Sequence, residues 1–183
     1  MINRPAIQRI EITKGNDSKR IRAVHDFNFS HRYLTTSAKG SSEKHQAWAG
    51  GYIDHIEQCL RIAATLYDAF SFEFSWESVY VVLFFHDIEK IFKYGQSYKL
   101  EDVYFDGDKW KYYTETLPEK YDIKFTDEEL NALKYIHGEG DDYCEKRVMN
   151  ELAGFCHSCD TISARCFHNL TEVRRLNNAN GCA

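Results

Sequence analysis

Leu83-Phe84-Phe85-His86-Asp87-Ile88-Glu89-Lys90 sets an adjacent His-Asp pair at the end of an apolar run. A neutral imidazole nitrogen and a carboxylate oxygen side by side can grip one divalent cation when other segments supply further ligands. Three segments carry suitable residues: Gly50-Gly51-Tyr52-Ile53-Asp54-His55, Tyr135-Ile136-His137-Gly138 and His157-Ser158-Cys159-Asp160. In chain order they give His, His-Asp, His and Asp, each on its own predicted helix or helix end. Neighbouring residues on a helix point about 100° apart. His86 and Asp87 therefore share an ion only where their helix ends against its neighbours.

Working outward, Ser75 is a good N-cap for a helix from Trp76 to about Phe92, whose apolar middle predicts burial. Ile53, Ile56, Leu60, Ile62, Ala63 and Leu66 fit a preceding helix running from Gly51 to about Phe70. Thr126-Asp127-Glu128-Glu129 is a capping box opening a short helix that ends near His137-Gly138. A long final helix is expected over roughly Lys146 to His168, followed by the polar tail Asn177-Asn178-Ala179-Asn180-Gly181. Tyr94 to Phe125 has no clean period, and so long a connection reads as a lid, a binding loop or a small subdomain. Ile7 to Ile12 alternates, Lys14 to Ser18 reads as a turn, and Arg20 to Val24 could return as a strand of a small hairpin. The expected fold is all-α. It is a single domain over 1–183, a helical bundle with its core at about 45–168, an irregular insertion at about 94–125 and a possible small N-terminal β-hairpin.

Composition narrows the function. The 183 residues are 43% hydrophobic and 15% aromatic, enough for a real core and against wholesale disorder. Only two prolines, Pro5 and Pro118, interrupt helix formation. A net charge of −5 argues against a surface for long nucleic acid, which needs clustered Lys and Arg. A small nucleotide needs only a few local cations. No apolar run approaches the roughly 20 residues of a membrane span, and Met1-Ile2-Asn3-Arg4-Pro5 lacks a secretory core. The expectation is a soluble, cytoplasmic chain with no membrane partner and six reduced cysteines, and an oligomer stays open.

The His, His-Asp, Asp order resembles the HD-domain superfamily of metal-dependent phosphohydrolases. The resemblance implies a helical domain whose metal ligands are His55, His86, Asp87 and Asp160. His45-Gln46-Ala47-Trp48-Ala49-Gly50-Gly51-Tyr52-Ile53-Asp54-His55 is similar to the "H-x-A-aromatic-x-G-G-L-x-E-H" stretch of bacterial HD-domain 3′-to-5′ exoribonucleases. His137-Gly138-Glu139 resembles their His-His-Gly segment, and His157 precedes Asp160 by three residues as a His does there. The likeness covers about residues 45 to 165. Two positions depart from it. Ile136 stands where those enzymes carry the first of two histidines, and Glu89 stands where many members have Gly before the Lys.

These readings imply hydrolysis of a nucleotide or other small phosphate ester. Imidazole with carboxylate suits Mn, Fe, Co, Ni or Zn, and Mg less well. Glu89 could orient or deprotonate the attacking water, or be a plain exposed carboxylate. Lys90 and Lys93 could meet phosphate or form a solvated face. His45 could contact substrate, and His137 could hold a second metal or protonate the leaving group. A 3′-to-5′ exonuclease or cyclic-nucleotide phosphodiesterase is the alternative within the same chemistry. A di-iron oxygenase and a non-catalytic binding module are the alternatives outside it. Cys156-His157-Ser158-Cys159 invites a zinc-finger reading, but a single such unit inside a helix favours buried thiols.

Overall fold

A computed structural model of the chain describes residue 20 and residues 36–39, 45–94 and 105–167. The described elements are helices: α1 (Gly51–Ala69), α2 (Trp76–Phe85), α3 (Glu89–Tyr94), α4 (Lys109–Lys111), a π-helical turn (Tyr112–Thr116), α5 (Leu117–Tyr121), α6 (Asp127–Tyr135), a 3-10 turn (Gly140–Asp142) and α7 (Glu151–Cys166). The all-α expectation holds, with no strand among the described residues. The expected hairpin lies outside them except at Arg20, which is helical, and the polar tail lies outside them too. No described helix is long and apolar enough to cross a membrane.

Four helices make the body. α2 packs against α1, α6 and α7, while α7 packs against both α1 and α6. Every residue of α2 from Val79 to Phe85 is buried, as expected of a helix that is apolar on all sides. Tyr67 at the end of α1, Phe72, Phe74, Trp76 and Phe155 of α7 form one aromatic cluster, in which Tyr67 meets Trp76, and Phe72 meets Phe155 at 4.8 Å, edge to face, while Phe74 stacks on Phe72. α6 starts at the predicted capping box, with Thr126 and Glu129 satisfying each other's backbone amides. Glu129 is fully buried there and is gripped by both terminal nitrogens of Arg20.

Two boundaries differ from the sequence expectation. α7 begins at Glu151 instead of near Lys146, because Asn150 caps it by accepting from the Ala153 amide at 2.7 Å. The helix from Trp76 does not continue to Phe92. It stops at Phe85, turns through His86–Ile88 and restarts at Glu89. The carbonyls freed by that break find side-chain donors. Tyr52 donates to Phe84 O at 3.3 Å, Tyr113 to Phe85 O at 2.7 Å, and the Lys109 ammonium to His86 O.

Those contacts also correct the reading of the insertion. Residues 95–104 lie outside the described part, but Lys109–Tyr121 is helical throughout, and Tyr112, Tyr113 and Leu117 are buried in the core. The missing period has a structural reason. The π-helical turn at Tyr112–Thr116 shifts the buried face, so a 3.6-residue pattern cannot be read across it. This segment props the His-Asp turn and is no irregular loop.

The entry to α1 is equally tight. Gly50 has φ +82°, in the left-handed region, and a Cβ on Gly51 would lie 1.9 Å from the Gln46 carbonyl oxygen. Gln46 itself has φ +35°, a costly conformation for a side-chain-bearing residue. Its carbonyl is held by the Ala38 amide at 3.2 Å. We expect Gly51→Ala to cost about 3 kcal/mol, lowering Tm by roughly 6–12 °C for a chain of this size. Thermal unfolding followed by circular dichroism checks this, and an unchanged Tm would mean that the 46–51 turn relaxes freely.

Candidate metal centre

The break after Phe85 aims consecutive side chains at one point. His86 and Asp87 leave the end of α2, His55 comes from the second turn of α1, and Asp160 comes from the middle of α7. His55 Nε2 lies 3.1 Å from Asp160 Oδ1, 3.3 Å from His86 Nε2 and 3.7 Å from Asp87 Oδ2. His86 Nε2 lies 3.4 Å from Asp87 Oδ2 and 3.7 Å from Asp160 Oδ1. Ligands bonded at about 2.1 Å to one ion sit about 3.0 Å apart at right angles and about 3.4 Å apart in a tetrahedron. His55, His86 and Asp87 therefore form a group that could hold a cation, and Asp160 stands at ligand spacing from both histidines.

Their partners orient them for it. His86 Nδ1 donates to the Leu83 carbonyl at 2.8 Å, leaving Nε2 to face the cluster. His55 Nδ1 is 3.0 Å from Ser163 Oγ, so its Nε2 also faces inward. The electrostatics ask for positive charge. Burial opposes ionisation of Asp160, yet His55 and His86 hold it far below the usual carboxylate range. Asp87 is likewise held well below that range, against burial, by His86, His137 and Lys90. His86 is pushed up to about 10, because Asp87 and Asp160 outweigh the cost of burying its charge. His55 moves the other way, down to about 4, since burial dominates there. Two buried anions thus keep a proton where a metal ion would lie.

The remaining predicted residues separate. His137, with 51% of its side chain exposed, points Nε2 at the outer oxygens of both carboxylates, 3.4 Å from Asp87 Oδ1 and 3.9 Å from Asp160 Oδ2. Each carboxylate thus turns one oxygen to the His55–His86 pair and the other to His137. Lys90 is buried, with its ammonium 2.5 Å from Asp87 Oδ2. His45 leans on His55 with ring centroids 5.2 Å apart, and burial followed by the nearby Lys90 charge lowers its pKa. Glu89 does not join the cluster: its carboxylate is 3.1 Å from Lys109, whose ammonium also caps His86 O. Lys93 is exposed on the last turn of α3 and is not brought to the cluster. Ile136 is fully buried in the core.

Sequence reasoning missed the supporting residues. Ser163 and Gln58 are buried polar residues on predicted helices, and Gln58 follows His55 by three positions, one turn along the same face. Lys109 sits in the segment whose helical character was hidden. His157 donates from Nδ1 to the Ile136 carbonyl at 2.6 Å, which fixes the turn carrying His137. Cys59 lies one turn after His55 with Sγ 3.8 Å from both ring nitrogens. It is a buried thiol, as are Cys156 and Cys159, while Cys144 and Cys166 are exposed.

No protein-family model, curated protein or solved structure matches this chain. A cation entering the cluster must displace the proton that the carboxylates keep on His86. Below a pH of about 10 that proton competes, so apparent metal affinity should weaken as pH falls. At pH 7 we expect uptake of Zn²⁺ to release about one proton. Titration calorimetry in buffers of different ionisation enthalpy measures this directly, and zinc binding with no proton release would place the ion elsewhere.

Proposed function

We propose that the chain is a metal-dependent phosphohydrolase of the HD-domain type, acting on a nucleotide or another small phosphate ester. The observation that supports this reading is the convergence of Asp87 and Asp160 on the His55–His86 pair, each histidine at ligand spacing from both carboxylates. A divalent cation, if held by these side chains, would supply Lewis-acid polarisation of a phosphoryl oxygen and a water of lowered pKa. Imidazole with carboxylate favours Mn, Fe, Co, Ni or Zn over Mg.

The chain's own residues supply the rest. The Lys90 ammonium, beside Asp87, is within reach of a phosphate seated at the cluster and offsets its charge. His137 lies on the solvent side of both carboxylates, the side from which a leaving group departs, and its imidazole can deliver a proton there. His45 lines the face beside His55. Glu89, engaged by Lys109, positions the His86 turn in this reading and handles no proton. Lys93 stays outside the site.

Asp87→Asn keeps the side-chain volume but removes the charge that both the ion and Lys90 use. We expect it to lose bound metal and to lower phosphodiester or nucleotide hydrolysis by at least about a hundredfold, with the helical far-UV signal retained. Metal content after anaerobic purification, followed by a nucleotide panel, checks both parts. Full metal stoichiometry in the variant removes Asp87 from the ligand set, and a metal-loaded wild type inert on every phosphate ester overturns the hydrolase reading.

Substrate size follows from charge. Long-strand binding draws on many phosphate contacts and falls steeply with salt, whereas this chain carries a net −5. Mononucleotides and dinucleotides should be turned over at rates that change little between low and moderate salt. Processive degradation of a long single strand, with mononucleotides untouched, would instead favour a 3′-to-5′ exonuclease.

A further inference from the structure

Cys59 stands one turn after His55 on α1, where that helix packs on α7. Its sulfur lies 3.8 Å from His55 Nε2, and the same nitrogen lies 3.1 Å from Asp160 Oδ1. The ligand atoms of the three residues all fall within 4.8 Å of one another. Sulfur at about 2.3 Å and nitrogen at about 2.0 Å from one zinc-sized ion stand about 3.5 Å apart in a tetrahedron, and the longer bonds of a larger ion spread them further. His55, Cys59 and Asp160 thus form a second group with the spacing of ligands around a cation. It shares His55 with the group that contains His86 and Asp87. Cys156 and Cys159 are buried as well, but neither joins such a group among the described residues.

The two groups differ in softness. His55, His86 and Asp87 offer nitrogen and oxygen alone. The second group offers a thiol, which binds as thiolate once its proton has left to solvent. Thiolate sulfur selects soft cations, and carboxylate oxygen suits hard ones. His55 and Cys59 are fully buried, while the Asp160 side chain is 13% exposed, so Asp160 marks the side of this group nearest solvent.

We propose that the centre carries a second seat, His55–Cys59–Asp160, which takes a thiophilic divalent cation of the cadmium kind, while manganese-like ions keep to the histidine–aspartate seat. His55 Nε2 bonds to one ion at a time, so the two seats exclude each other. A thiophilic ion held at Cys59 therefore blocks loading beside His86 and Asp87. The inference rests on the metal reading given above and adds to it that the softness of the ion decides where it sits.

The test is ¹¹³Cd NMR on the full chain with one equivalent of Cd²⁺. Sulfur ligands move the cadmium resonance strongly downfield, and proton–cadmium correlations name the ligands. One sulfur is expected, with correlations to the Cys59 β-protons and to the His55 ring. Cys59→Ser should weaken Cd²⁺ binding by at least about tenfold and leave Mn²⁺ binding, read from the EPR signal of the free ion, within about threefold. Mn²⁺ should bind the wild type only as Cd²⁺ leaves it. The wild-type correlations decide the matter without the variant. Cadmium correlated to His55 and His86 with no sulfur ligand overturns the second seat and leaves the metal reading standing. A sulfur signal that traces to Cys144, Cys166 or Cys182 instead of Cys59 overturns the seat equally, and so does Mn²⁺ binding undiminished beside Cd²⁺. Failure of both ions to bind at His55 or His86 removes the metal reading, and the second seat falls with it.

Discussion

Asp87 and Asp160 hold two negative charges inside a helical bundle, and the architecture around them serves to keep those charges tolerable. Burying a carboxylate without a partner costs several kcal/mol, so each one is surrounded. His55, His86 and Lys90 approach within 2.5 to 3.7 Å on the inner side, and His137 approaches on the outer side. The result is a pocket of converging nitrogen and oxygen donors in which the Lys90 ammonium and the proton kept on His86 balance the two anions. Both histidines bear the full cost of burial; it dominates at His55, whereas at His86 the combined attraction of Asp87 and Asp160 outweighs it, so the two move in opposite directions.

That arrangement depends on ending α2 at Phe85. Had the helix continued, His86 and Asp87 would diverge around its axis and could not meet His55 and Asp160 at one point. Ending a helix inside a core leaves carbonyls without partners. Tyr52 from α1, Tyr113 from the π-helical turn and Lys109 from α4 supply them. Both tyrosines are fully buried, and burial raises their pKa well above the usual value, so they remain neutral donors. The helical break that aligns the ligands is thus maintained by three side chains outside the ligand set, two of them from the segment after α3.

The centre also has two sides. Its inner side is built from the fully buried His55 and His86 and the facing carboxylate oxygens, and is braced by Ser163, Gln58 and Gln46. Its outer side carries His137, half exposed and held by a backbone turn that His157 fixes from α7. A cation bound on the inner side would be held by buried, hydrogen-bonded groups. His137 on the outer side keeps access to solvent.

The sequence by itself determined the helical class and picked out the four side chains that the fold brings together, His55, His86, Asp87 and Asp160. The capping box at Thr126–Glu129, the Ser75 cap and the apolar run to Phe85 are local signals, because caps and amphipathic periods depend on neighbours a few residues away. The order His55, His86-Asp87, Asp160 was legible because each residue stands beside an apolar run that must pack inward. Three things were not legible. The π-helical turn at Tyr112–Thr116 broke the period that would have revealed Lys109–Tyr121 as helix. Glu89 and Lys93, both near Lys90 in sequence, parted from it because Lys109 captured one and solvent the other. Ser163, Gln58 and Gln46 look like ordinary polar residues until α1 and α7 pack and exclude water between them. Local sequence can place a side chain on a face. Only the tertiary structure decides which faces meet, and so which polar groups lose water and must bind one another.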